Sequence, residues 1–168
     1  GCMVDYRGIG GLITGKSGSG KSETAIGLLE KGAALVADDT VKICQIGGEL
    51  STSAKNFARG YLEMRGIGII NVANLYGLSA IRPEKRLDLV VALKPDTDLN
   101  KVDRTGIRRK KFQVLDVEVP LIEVPVAAGR ETARLIGVAA LDLQLRRIGY
   151  DMADEFNKRI LEQMNEGL

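Results

Sequence analysis

The chain has 168 residues, 45% of them hydrophobic, which is enough to bury one core and too few for two, so a single domain over residues 1–168 is expected. Lys and Arg number 24 against 22 acidic residues, and the net charge of +2 gives no general case for nucleic acid or an anionic membrane surface. There is no His, and Cys2 and Cys44 have neither metal-ligand spacing nor the pattern of a disulfide scaffold, so imidazole catalysis and an ordinary zinc site are excluded for this polypeptide.

No apolar run approaches the roughly 20 residues that cross a bilayer, and no basic-apolar leader opens the chain, so a soluble cytoplasmic protein is expected. The opening Gly1-Cys2-Met3 reads as the middle of a sequence, as in an excised domain.

The first predicted element is the apolar strand Ile9 to Thr14. Behind it, Gly15-Lys16-Ser17-Gly18-Ser19-Gly20-Lys21-Ser22 matches G-x-x-x-x-G-K-[ST] in full. Gly15, Gly18 and Gly20 allow turn conformations that aim successive N–H groups at one anion. Lys21 supplies a point charge to the outer phosphates, and the Ser22 hydroxyl can ligate Mg²⁺. Glu23 to Lys31 has helical spacing with Gly32 as its stop, so the dipole of that helix adds to the phosphate site.

A short apolar strand, Ala33 to Ala37, follows and ends at Asp38-Asp39, and Val41 to Ile46 alternates as a strand should. Gly47-Gly48 reads as a hairpin turn into Glu49 to Thr52. Gly60 to Gly77 is punctuated by glycine, with an apolar strand at Ile67 to Ile70. Leu87 to Leu93 is a strand expected to be buried on both faces. Pro95 to Lys111 is the most polar stretch and is expected to be a long functional loop. Gln113 to Val126 supplies one or two further strands around Pro120. Glu131 to Ile148 is predicted to be a long helix, apolar enough on several faces to be largely buried. A last helix, Asp151 to Met164, is capped by Asp151 and carries Met152, Phe156, Ile160 and Met164 along one face.

Three groups of charges bear on chemistry. Asp38 and Asp39 stand where a phosphoryl-transfer fold places its second acidic element, one able to act through Mg²⁺ and one toward an attacking hydroxyl; a solvated turn is the plainer alternative. Glu63 and Arg65, two residues apart on an extended segment, could hold metal and phosphate together or form a surface ion pair. Arg104, Arg108, Arg109, Lys110 and Lys111 read either as a solvated charge run or as anion recognition by a loop arginine. With no aromatic residues between these charges, nucleic-acid binding is not expected.

Taken together, Gly15 to Glu23, the pair Asp38-Asp39, and Glu63 to Val72 running on to Leu75-Tyr76-Gly77 closely resemble the catalytic domain of bacterial HPr kinase/phosphorylase. The resemblance implies an α/β fold, a phosphate-loop mixed β-sheet core with flanking helices of the phosphoenolpyruvate-carboxykinase-like kind. It implies phosphorylation of a serine of the phosphocarrier protein HPr by ATP or pyrophosphate with Mg²⁺, phosphorolysis by inorganic phosphate in reverse, hexameric assembly, and a role in carbon catabolite control. Position by position, it implies nucleotide binding by Gly15, Lys16, Ser17, Gly18, Ser19, Gly20, Lys21 and Ser22, with Ser22 and Glu63 as metal ligands, Asp39 as general base and Arg104 as a catalytic arginine. Pro125, Val126, Ala127, Ala128, Gly129 and Arg130 match a segment tied to dephosphorylation, and the last helix matches an HPr-docking surface. The family's functional His would precede Gly1, its N-terminal domain is absent, and Lys16 and Ala127-Ala128 depart from its usual residues. From the residues alone, a phosphate-loop kinase of a small molecule and a non-catalytic nucleotide-sensing module remain open.

Overall fold

The computed structural model describes residues 1–95, 110–126 and 131–166. Its centre is a six-stranded mixed sheet in the order β10-β11-β9-β2-β1-β3. β1 (Cys2–Tyr6) and β2 (Ile9–Thr14) form a tight hairpin whose turn residues, Arg7 and Gly8, both take positive φ, as the twist of a two-residue hairpin requires. Asp5 stabilises this turn by accepting the Gly8 N–H at Oδ1, 3.0 Å away. From β2 the chain passes through the phosphate loop into α1 (Lys21–Glu30) and returns as β3 (Ala34–Asp38) on the far side of β1. Helix α1 ends in a Schellman arrangement: Ala33 N–H reaches Leu28 O and Gly32 N–H reaches Leu29 O, each at 3.0 Å.

β4 (Lys42–Ile46) and β5 (Glu49–Ser53) form the expected Gly47-Gly48 hairpin and, with β8 (Glu84–Arg86), make a separate three-stranded sheet. The glycine-punctuated segment holds more structure than its sequence suggests. It forms the hairpin β6 (Tyr61–Met64) and β7 (Gly68–Asn71), followed by the short helix α2 (Val72–Tyr76), which Asn71 caps by accepting the Asn74 N–H. β9 (Leu89–Pro95) pairs in parallel with β2 on one side and with β11 (Val117–Val126) on the other. Pro120 is accommodated because it precedes Leu121, where pairing with β9 begins. β10 (Lys110–Val114) includes Lys110 and Lys111, which the sequence assigned to the loop; here they belong to a strand and pair with Glu123 and Glu118.

Both faces of the sheet are covered. Ile13, Leu89, Val91 and Leu93 pack with Ala25, Leu28 and Leu29 of α1 and with Ile136 and Ala140 of α3 (Thr132–Arg147). Met3, Leu12 and Val90 face the other way, against Leu50 and Ala54 beside the small sheet. Val90 and Val91 are thus buried on opposite faces, as the uniform apolar run of β9 required. α3 corrects its expectation. Its buried residues lie on one face, while Leu135, Val138 and Leu141 are exposed, because only the face toward α1, β2 and β11 meets the sheet layer. α4 (Met152–Glu166) is capped as expected, with Asp151 Oδ1 accepting the N–H groups of Ala153 and Asp154, yet none of its residues is buried. Among the described residues no helix is long and apolar enough to cross a membrane.

One buried charge ties these layers together. Asp88, only 3% exposed, accepts the Gly10 N–H at Oδ2 and Arg147 Nη2 at Oδ1, both at 2.7 Å. Arg86 Nε stands 3.4 Å from the same Oδ1 and its guanidinium continues to Glu49 at 3.1 Å. Replacing Asp88 leaves Arg147 and the Gly10 N–H without their partner. Asp88→Ala is therefore expected to lower unfolding stability by about 3–5 kcal/mol in urea titration, whereas Glu49→Ala, at the exposed end, should cost about 1 kcal/mol or less.

Candidate active site

Four strands of the central sheet, β2, β3, β9 and β11, run in the same direction, so their carboxyl ends share one edge. Thr14, Asp38 and Val126 all stand on that edge, which is where open α/β sheets build their sites.

The phosphate loop is already shaped. Ser19 N–H donates to Lys16 O at 3.0 Å, and Gly18 and Gly20 take φ of +82° and +94°, values that favour glycine. Gly15 is required by space: a Cβ there would fall 2.5 Å from Ser19 Oγ and 3.3 Å from Leu93 Cβ. The Ser19 hydroxyl is buried with no hydrogen-bond partner, so a side chain at 15 would press on a group that already lacks one. Lys21 Nζ donates to Gly15 O at 2.8 Å and Lys16 O at 3.1 Å, holding the ammonium across the mouth of the loop.

The acidic pair meets the loop through a local distortion. Adjacent residues on a strand point to opposite faces, yet Asp38 and Asp39 both line the cleft beside Lys21 and Ser22. Asp39 has φ of +63°, and Thr40 N–H closes a three-residue turn onto Asp38 O at 2.7 Å, which takes Asp39 out of the strand's alternation. Asp is among the few residues that tolerate this conformation. Asp38 Oδ2 accepts the Glu63 N–H at 3.0 Å, and the buried Cys2 thiol lies beside its carboxylate. Cys2 lies opposite both Ile13 of β2 and Asp38 of β3, and burial together with the neighbouring carboxylate pushes its thiol well above the usual range. It therefore remains protonated.

Glu63 and Arg65 complete the cleft. Glu63 is on β6, while Arg65 sits in the turn beyond it rather than on the extended segment. No ion pair joins them, and both face the phosphate loop, with the Arg65 guanidinium 3.8 Å from where a Cβ on Gly18 would be. The cleft has a volume of about 380 Å³ and brings together Lys21, Ser22, Asp38, Asp39, Glu63 and Arg65. Pro125 and Val126 end β11 on the same edge, and Val126 lines a neighbouring cleft with Gly15 to Ser19. Arg104, Arg108, Arg109, Ala127, Ala128, Gly129 and Arg130 lie outside the described residues.

The cleft's donors toward a metal are oxygen: the Ser17 and Ser22 hydroxyls and the carboxylates of Glu23, Asp38, Asp39 and Glu63. Among the described residues no three carboxylate or thiol groups stand close enough to cage an ion unaided. The oxygen donors suit a hard cation such as Mg²⁺, which is usually held by one or two carboxylates together with phosphate oxygens and water. Sequence reasoning missed Cys2, because only the pairing of β1 between β2 and β3 brings it to Asp38.

A strand, a glycine-rich anion loop, a helix and a facing acidic strand end define a phosphate-loop α/β domain. The chain belongs to the HPr Serine kinase C-terminal domain family, whose sequence profile matches residues 1–160. It is 44% identical over 168 residues to the HPr kinase/phosphorylase of Geobacillus thermodenitrificans, covering 99% of this chain and 54% of that protein. It is 43% identical over 168 residues to the HPr kinase/phosphorylase of Treponema pallidum, covering 99% of this chain and 53% of that protein. The solved Hpr(Ser) kinase/phosphatase from Coxiella burnetii superposes with a TM-score of 0.83 at 31% identity, covering 92% of this chain and 94% of that one. The chain spans about half the length of the curated relatives it matches. The expected α/β fold, with a mixed sheet and flanking helices, is borne out.

Two outcomes are expected from this geometry. Gly15→Ala should reduce affinity for inorganic polyphosphate about tenfold or more by isothermal titration, since the loop must open to admit the methyl group. Iodoacetamide should modify the exposed Cys44 and spare the buried Cys2 until the chain is unfolded, which intact mass spectrometry reads as one adduct and then two.

Proposed function

We infer that this domain transfers a phosphoryl group from ATP to a serine of HPr and catalyses the phosphorolytic reverse, giving pyrophosphate. The observation that carries this reading is the convergence of Lys21, Ser22, Asp38, Asp39, Glu63 and Arg65 on one cleft at the mouth of the phosphate loop. Family membership and the names of the relatives support it.

Binding begins with charge. The loop N–H groups and the α1 dipole receive the phosphates, and Lys21 turns from the Gly15 and Lys16 carbonyls to the outer phosphate. Ser22 and Glu63 would hold Mg²⁺, which supplies charge neutralisation between phosphates and carboxylates when bound. Among the described residues Asp39 has no ion-pair partner, and it stands exposed in the cleft, where a seryl hydroxyl can approach it. It accepts that proton as the serine oxygen bonds to phosphorus and the bond to the leaving phosphate oxygen breaks. In reverse, inorganic phosphate attacks the seryl phosphate and Asp39 returns the proton to the serine oxygen as pyrophosphate departs. A carboxylate is a weak base, so alignment and electrostatic stabilisation carry most of the rate. Asp38, anchored by the Glu63 N–H, orients the pair, and Arg65 balances charge on the transferred group. Arg104 and the segment Pro125 to Arg130 are assigned to catalysis and dephosphorylation by resemblance. Pyrophosphate as donor and hexameric assembly follow from the same resemblance, and a cytoplasmic location is proposed with them.

Incubation with Mg²⁺-ATP and HPr should add about one phosphate, roughly 80 Da, to HPr, and excess inorganic phosphate should remove it. Asp39→Ala is expected to abolish transfer in both directions while changing ATP affinity less than about threefold. An equal collapse of nucleotide binding would remove Asp39 as the base, and an absence of transfer that persists once the residues upstream of Gly1 are restored would remove HPr as the acceptor.

A further inference from the structure

The outermost phosphate of a donor must face the carboxylates, because that is where an acceptor can be deprotonated. The rest of the donor then has to leave the loop in another direction, and the first turn of α1 sets it. Thr24 N–H is the first to bond back into the helix, to Gly20 O at 2.9 Å, so the N–H groups of Lys21, Ser22 and Glu23 have no helical acceptor. They form a strip of open donors, and a polyphosphate laid along it runs from the carboxylate cleft toward Glu23.

Where the strip ends, a second cleft of about 510 Å³ opens between α1 and the first turn of α3, and Gly20 and Glu23 line both clefts. Gly27 sets the approach of the two helices, since a Cβ there would stand 2.8 Å from Ala133 Cβ. The walls carry Glu30 on one helix and Glu131 and Arg134 at the other, with Arg134 Nη2 2.9 Å from Glu131 Oε2. Carboxylates accept from ribose hydroxyls or an exocyclic amine, and a guanidinium stacks on a flat aromatic base. A volume of this order is ordinary for a small-molecule site. The competing cleft, about 650 Å³, is lined by Gly15 to Ser19, Ala92, Leu93, Lys94 and Val126. Among the described residues no carboxylate lines it, and neither do Lys21, Ser22 and Glu23.

We propose that the cleft between α1 and the start of α3 binds the nucleoside of a nucleotide donor, with Glu30 and Arg134 as its recognition residues; this rests on the phosphate-loop reading above. The domain then recognises its donor through two adjoining surfaces, one for phosphates alone and one for ribose and base. Substitution of the second should change nucleotide use without touching the first.

Comparing Mg²⁺-ATP with Mg²⁺-tripolyphosphate by isothermal titration separates the two surfaces. ATP is expected to bind about tenfold more tightly despite its lower charge. Arg134→Ala and Glu30→Trp should remove most of that advantage, with tripolyphosphate affinity held within about twofold. Equal affinities in the unaltered chain, or a parallel loss of both ligands in the variants, would overturn the proposal. Photolabelling of the unaltered chain with 8-azido-ATP needs no variant to fold. Adducts on residues 23–31 or 131–134 are the expected result, and adducts confined to 14–19 or 92–94 would give the nucleoside to the other cleft. A failure to phosphorylate HPr would leave these binding results standing, so the two readings fall separately.

Discussion

The candidate site depends on β1 lying antiparallel between β2 and β3. That arrangement makes the outer two strands run the same way, separated by two strand spacings, roughly 10 Å. The phosphate loop leaves the end of one and Asp38-Asp39 close the end of the other, so the loop and the two carboxylates share one cleft. Cys2 marks the point of contact, because it is paired with Ile13 on one side and Asp38 on the other. A register slip of one residue would turn Asp38 toward the opposite face and dissolve the site.

Rigid backing keeps this edge in place. Both faces of the sheet are buried, and β9 contributes side chains to each, so the strand beside the phosphate loop has no freedom to shift. The Asp88 carboxylate binds the start of β2, the end of α3 and the small sheet through one set of charge-assisted contacts. Against that background Asp39 can be held at positive φ. Holding a non-glycine residue there stores backbone strain, and it brings two neighbouring carboxylates into one cleft.

The helices at the end of the chain obey different constraints. α3 is anchored through one face, with Leu135, Val138 and Leu141 turned outward, while α4 carries Met152, Phe156, Ile160 and Met164 without burying any of them. α4 is capped locally by Asp151, and packing within the described residues contributes little to it.

The motif Gly15 to Ser22 was legible in the sequence because its function is local: a few consecutive residues set the turn geometry and supply the lysine and hydroxyl themselves. The strand Ile9 to Thr14, the Gly47-Gly48 hairpin and the Asp151 cap were legible for the same reason, and the strand expected at Leu87 to Leu93 lies two residues further on, at Leu89–Pro95. Glu63 and Arg65 could be singled out by type and spacing, but their spacing left a surface ion pair open, and only the approach of the β6–β7 hairpin to the end of β3 puts both in the cleft. The burial of α3 was overestimated because composition counts apolar residues without saying which face meets a neighbour. The part played by Cys2, the turn at Asp39 and the charge network around Asp88 rest on strand pairings between residues tens of positions apart. Those pairings are chosen by the packing of the whole sheet, so tertiary structure decided them, while the sequence by itself determined the phosphate loop and the elements that flank it.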